Sequence, residues 1–148
     1  MFLSLGQFFY YSIDMDKYII NEDLLKYLSE KAMKNPRLRD NYDLRNSSED
    51  KSQRMLNALE LGTVMPIHRH RNSSETMIVI KGCLKEYFYD DQGNVTGQWV
   101  CAPNSDCIGI NIPAGQWHNL ECLEAGTVLF EAKDGAWTPL EENDILSV

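Results

Sequence analysis

The chain is short of positive charge. Its 148 residues carry 14 Lys and Arg against 22 Asp and Glu, a net charge of -8. A duplex-binding surface needs clustered Lys and Arg to replace the phosphate counterions, so nucleic acid is excluded as a partner class. Anionic membrane surfaces are disfavoured for the same reason. No CxxC pair or zinc-knuckle spacing occurs among Cys83, Cys101, Cys107 and Cys122. A chain of this length builds a core without staples, so the expectation is free buried thiols in a reducing cytosol. A disulfide or a reactive thiol is the alternative. Long apolar runs are also missing. The most apolar stretch, 1–11, has no basic flank, is too short to span a bilayer, and is followed by Asp14, Asp16 and Lys17 where a cleavage site would need small residues. It reads either as an arm packing on the domain or as residues preceding a natural start at Met15. A soluble cytoplasmic protein follows.

What is present is an ordinary globular mix, 43% hydrophobic and 24% charged, which suits one domain with one core. Asn21, followed by Glu22, Asp23 and an apolar run from Leu24, predicts a capped helix that Pro36 ends near Lys34. Leu24, Leu28 and Ala32 are its expected buried stripe, with Leu25 and Met33 beside it. The polar segment 37–50 reads as a connection or an edge strand. From Gln53 onward, β-prone runs alternate with turn residues. Strands are predicted at 53–59, 64–70, 76–81, 84–89, 95–101, 107–112, 117–122 and 127–133. Many short strands at near-regular spacing indicate a sandwich or barrel and not a βαβ sheet. The division is an N-terminal arm and helix over 1–50 and a barrel over 51–148, one domain overall. The acidic tail after Pro139 suits a single helical turn.

Histidine is scarce, and all three copies fall in two compact motifs. The first runs from Gly62 to Gly82 and contains His68, His70 and Glu75. Residues two apart on a strand share a face, so His68 and His70 project side by side, about 6–7 Å apart along the backbone. A turn over 71–74 lets the Glu75 carboxylate return to that face. The second motif is Pro113-Ala114-Gly115-Gln116-Trp117-His118, a turn that launches a strand with His118 pointing inward. Either motif alone occurs by chance, and a single histidine is more often a hydrogen-bonded core residue than a ligand. The agreement of three imidazoles, a carboxylate at a turn-compatible offset and two bounding glycines favours a metal site of His68, His70, Glu75 and His118. On an octahedral ion this set leaves two positions for water or substrate. One divalent ion is expected, of Fe, Mn, Zn or Ni type.

These motifs resemble the cupin superfamily patterns G-x5-HxH-x4-E-x6-G and P-x-G-x-x-H. The first match is complete. Around the second, Cys107 and Cys122 stand where the superfamily often has glycine and asparagine, and neither position is a ligand. More narrowly, the chain resembles the WbuC family of cupin-fold metalloproteins from about residue 18 to 139. The resemblance rests on the leading helix, Pro36-Arg37-Leu38-Arg39, Leu44-Arg45, Gln53-Arg54-Met55, the ligand block, Phe88-Tyr89-Asp90 and Glu131-Ala132-Lys133-Asp134-Gly135. It implies an all-β fold, a double-stranded β-helix or jelly-roll barrel, after one short N-terminal α-helix. It also implies a bacterial protein of surface-polysaccharide metabolism, with a sugar or nucleotide-sugar as small-molecule partner. A homodimer is compatible with the sequence.

Other positions follow from strand parity. Met77 and Val79 share the parity of Glu75 and should line the interior as core. Leu84, Glu86 and Phe88 alternate with Lys85, Tyr87 and Tyr89, which would place Glu86 inside the barrel as a general base or substrate contact; a solvent-facing or ion-paired Glu86 is the alternative. Glu131 and Lys133 share a face. They are either a surface pair or, with Arg54, an anion-binding group at the pocket mouth. Trp117 should point away from His118 into core. Three functions remain: a metal-dependent enzyme on a small polar or sugar-related substrate, a non-catalytic metal-dependent binding or sensing module, and a structural ion. A paired carboxylate or lysine beside an open ion would favour the first.

Overall fold

The computed structural model describes residues 19–147. The apolar stretch 1–11 and the question of a start at Met15 lie outside them. The helix α1 (Glu22–Lys34) forms as its capping signal predicts: the Asn21 side chain accepts a hydrogen bond from the Leu24 N–H at 3.1 Å. Glu22 and Asp23 lie in its first turn and Lys31 and Lys34 in its last, each matched to the sign of the helix dipole there. Its buried stripe is Leu25, Leu28 and Ala32. Leu28 and Ala32 are buried as expected, Leu25 takes the place of the half-buried Leu24, and Met33 is 58% exposed.

Eight strands follow: β1 (Arg39–Asp43), β2 (Ser52–Leu59), β3 (Glu75–Lys81), β4 (Leu84–Tyr89), β5 (Val95–Cys101), β6 (Gly109–Ile112), β7 (Trp117–Cys122) and β8 (Thr127–Asp134). They form a five-stranded sheet in the order β1-β2-β8-β3-β6 and a three-stranded sheet β5-β4-β7. All pairings are antiparallel. Alternation along each strand sends one set of side chains between the sheets. Leu59, Met77, Val79 and Leu129 from the first sheet meet Leu84, Cys101 and Cys122 from the second in one core cluster. The opposite face of the large sheet offers Leu56, Ala58 and Val128 to Leu25, Leu28 and Ala32 of α1, a second core. The result is helix on sheet on sheet.

The fold is therefore mostly β with one N-terminal helix on a cupin-like scaffold, but the described strands do not close into a barrel. The predicted strand over 64–70 accounts for the difference. Within it only His68 makes bridges, to His118 and to Ile145. Pro66 has no N–H to give to a ladder, so pairing begins only after it. His68 then exchanges backbone bonds with His118 at 3.0 and 2.9 Å. On its other side, Ile67 and Arg69 bond to Leu146 and Asp144, just after and within the short 3-10 turn Glu142–Asp144. The tail thus supplies the edge partner that a longer strand would have had. Gly62 and Gly82 both have positive φ, as turn-forming glycines at the ends of the ligand block should.

Candidate metal centre and cavity

The inward set of each strand passes from apolar to polar along its length, and the polar end lines a cavity of about 460 Å³ between the sheets. β3 contributes Glu75 and Met77, β8 contributes Glu131 and Lys133, β4 contributes Glu86, and β7 contributes His118; His68 and His70 enter from the connection before β3. The ligand atoms of His68, His70 and His118 all lie within 4.8 Å of one another. Ring centroids are 4.3 Å apart for His68 and His118 and 5.2 Å for His68 and His70.

The second ring nitrogen decides what these imidazoles offer. Nδ1 of His68 faces the Pro66 carbonyl at 3.0 Å, and Nδ1 of His118 faces the Gln116 carbonyl at 2.9 Å. A carbonyl only accepts, so both rings carry their proton on Nδ1 and present the Nε2 lone pair to the cavity. Nε2 of His118 is buried and has no partner. Burial, aided by the neighbouring His118, brings His68 down to about 4. Burial also lowers His118, so both rings are neutral at neutral pH. Buried and neutral, with the His118 Nε2 lone pair unspent, His68 and His118 fit a divalent cation, and His70 stands within reach of the same point.

Glu75 is the fourth expected ligand. Its Oε2 lies 3.2 Å from His70 Nε2 and 3.3 Å from Lys133 Nζ, beside the imidazole cluster and on the Lys133 side of it. Burial pushes this carboxyl up, but the close His70 imidazole and the charge of Lys133 prevail and hold it well below the usual range. Lys133 also reaches Glu131 at 3.2 Å, and Asn57 donates to the other Glu131 oxygen at 3.1 Å. Glu131 and Lys133 are thus cavity groups and not a surface pair. Burial and then Glu75 raise Glu131 to about 7. Lys133 would be lowered by burial, yet Glu75 and Glu131 keep it above its ordinary value. Glu86 faces inward as strand parity predicts. It is 1% exposed with Oε1 unpartnered, and burial, then Glu75 and Glu131, raise it to about 9. Three carboxyls meet one ammonium here, and burial keeps the proton on Glu86.

Arg54 is not part of this group. It alternates with Gln53 and Met55, so it points to the outer face of β2, where it bonds Asp50 at 3.2 Å and the Leu44 carbonyl at 3.3 Å. Met77 and Val79 both pack in the inter-sheet core as expected, and Met77 also lines the cavity. Trp117 is buried on the far face of β7, bonded to Asp91 at 2.8 Å, with the Arg69 guanidinium 4.3 Å above its ring. Asn57 was missed by sequence reasoning, although a polar residue at an inward position of a strand is a legible signal. Trp137, exposed at the cavity rim, gave none.

A family model described as a domain of unknown function, DUF6016, matches residues 20–101, more than half of the chain. The chain belongs to the DUF6016 family. The match spans α1 to β5 and includes His68, His70, Glu75 and Glu86, while His118, Glu131 and Lys133 lie beyond it. Solved structures resemble this DUF6016 member over two thirds to three quarters of its length. The capsular polysaccharide assembling protein CapF from Staphylococcus aureus matches with a TM-score of 0.60 and 20% identity over 73% of this chain and 32% of that one. KdgF from Halomonas sp. matches with a TM-score of 0.55 and 12% identity, over 68% and 82%. Bacillus subtilis oxalate decarboxylase, which has Mn(II) centres, matches with a TM-score of 0.54 and 17% identity, over 74% and 28%. These likenesses show a cupin-type fold. The chain spans about a third of CapF and 82% of KdgF. No curated protein sequence matches it. Among the described residues no helix is long and apolar enough to cross a membrane.

Proposed function

We propose that this DUF6016 protein is a metal-dependent enzyme acting on a small polar or sugar-related substrate. One divalent ion of Fe, Mn, Zn or Ni type would be held by His68, His70, His118 and Glu75. The observation that carries the reading is the buried, unpartnered Nε2 of His118 beside two further imidazoles. Leaving such a lone pair dry costs about 1–3 kcal/mol, a cost that coordination removes. When bound, the ion supplies a Lewis-acid centre for a substrate oxygen.

The surrounding residues support turnover better than an inert ion. Glu86, protonated at neutral pH, would donate a proton or hydrogen bond to the substrate. Glu131 and Lys133 would orient it, with Lys133 meeting an anionic oxygen and Glu131, near its titration point, accepting from a hydroxyl. The WbuC resemblance supports a place in surface-polysaccharide metabolism in the cytoplasm of a bacterium, and the CapF likeness agrees with it.

The test is metal content after purification without added metal. Wild type should hold close to one ion per chain. His70→Ala and His118→Ala should lose most of it with an unchanged circular dichroism spectrum. Full metal in both variants would overturn the ligand assignment. Titrating the Co(II)-substituted protein with small anions and sugars should shift its ligand-field bands. Bands that ignore every ligand would remove the enzymatic reading and leave a structural ion.

A further inference from the structure

We propose that Cys101 and Cys107 are a modification site, forming a reversible disulfide with an oxidant of the glutathione-disulfide class. Their Sγ atoms stand 3.1 Å apart. A disulfide bond is about 2.0 Å long, so closure brings the two sulfurs together by roughly 1 Å. The turn between them is already drawn shut. The Ala102 N–H donates to the Cys107 carbonyl at 3.0 Å, and the Ser105 hydroxyl contacts the Ala102 and Cys107 carbonyls at 2.7 Å each.

The two thiols differ in access. Cys101 ends β5 in the core with no exposed surface, and burial, then the contact with Cys107, pushes its thiol up to about 12. Cys107 is partly exposed and its thiol also points at the Gly109 carbonyl, 3.5 Å away. Cys107 is therefore the sulfur an oxidant reaches, and Cys101 is the resolving thiol held against it. Cys83 and Cys122 are free thiols, and Cys122 is turned to the Glu124 carbonyl at 3.1 Å.

The exchange balances. The Cys107 thiolate attacks one sulfur of glutathione disulfide and expels a glutathione thiolate, which takes up a proton. Cys101 releases its proton as its sulfur attacks Cys107, and the second glutathione leaves as a thiol. The protein loses two electrons and two protons, and one glutathione disulfide becomes two glutathione molecules. Along β4, Leu84 pairs with Cys101 and Phe88 with His118, so the site lies on the order of 13 Å from the imidazoles and does not rest on the ion proposed for them.

The experiment uses the full chain incubated with excess glutathione disulfide, quenched in acid and alkylated under denaturing conditions. The four free thiols should fall to two, with the loss of two hydrogens from the intact mass. Cleavage before Asp106, which lies between the two cysteines, should give fragments that separate only after reduction. Retention of four thiols, a persistent glutathione adduct, or a bond to another cysteine or another chain would each overturn the proposal. Cys107→Ser should keep its remaining thiols under the same treatment; if it still loses two, the pairing is wrong. The wild-type readout stands by itself should that variant not fold.

Discussion

At the scale of single residues, Glu86 dominates. An inward carboxyl with an unpartnered oxygen avoids the cost of a buried charge by keeping its proton. Its folded pKa is about 9 against an ordinary value of 4.5. The folded state therefore holds the extra proton between those values. The stability this group contributes is fully present below 4.5 and is lost as pH rises towards 9. In the metal-free protein, Glu86→Gln should match wild type near pH 4 and exceed it by on the order of 3 kcal/mol at pH 7. Urea melts across this range in chelator measure it. Parallel pH profiles for the two proteins would mean that Glu86 is solvated. Glu86 was legible because Leu84 shares its parity; its isolation from partners was not, since that depends on β3 and β8, distant in sequence.

At the scale of elements, α1 and the β3–β4 turn carry the sharpest expectations. Leu28 is fully buried in the helix–sheet core, so Leu28→Ala should cost about 2–5 kcal/mol, read as a lower urea midpoint with an unchanged slope. A loss below about 1 kcal/mol would show that the helix packs loosely on the sheet. Gly82 combines a φ of +83° with a close approach: a Cβ there would stand 2.7 Å from the Thr127 Cα, which is backbone and cannot swing away. Gly82→Ala should lower the melting temperature more than Gly62→Ala, where the nearest atom is a Leu38 methyl at 3.4 Å. Equal effects would place the strain in φ alone. Thr127, whose hydroxyl also accepts from the Cys83 N–H at 3.0 Å, makes the difference.

At the scale of the whole molecule, the tail reaches back to the metal-site segment. Asp144 pairs with Arg69 and Arg71, the residues that bracket His70, and its carbonyl accepts from the Arg69 N–H. The His68–His70 segment is thereby held between β7 and the tail, although it forms no strand of its own. Asp144→Ala should weaken metal affinity by about tenfold while the far core is undisturbed. Competition against a chelator gives the affinity, and the urea midpoint gives the fold. An unchanged affinity would make the tail a stabilising edge and nothing more.

The sequence by itself determined the periodicity, and with it most of the elements. Asn21 and Pro36 bound α1, the turn residues separate the strands, and alternation sends Met77, Glu86 and His118 inward. The HxH pair and the motif from Pro113 to His118 already named the imidazole donors, because short spacings on a strand or across a turn are local geometry. The tertiary structure decided everything that depends on partners far along the chain. The 64–70 segment pairs only at His68, with β7 on one side and the tail on the other. Arg54 turns outward because its partner on β8 is Ala132, whereas Glu131 and Lys133, which turn in, stand opposite Met55 and Gln53; that register joins strands distant in sequence. The stripe of α1 includes Leu25 because the helix rotates to fit Leu56, Ala58 and Val128. Cys101 and Cys107 meet only because the turn between them closes. Local chemistry is written in spacing, whereas burial, charge balance and contact are made by elements that meet only in the folded chain.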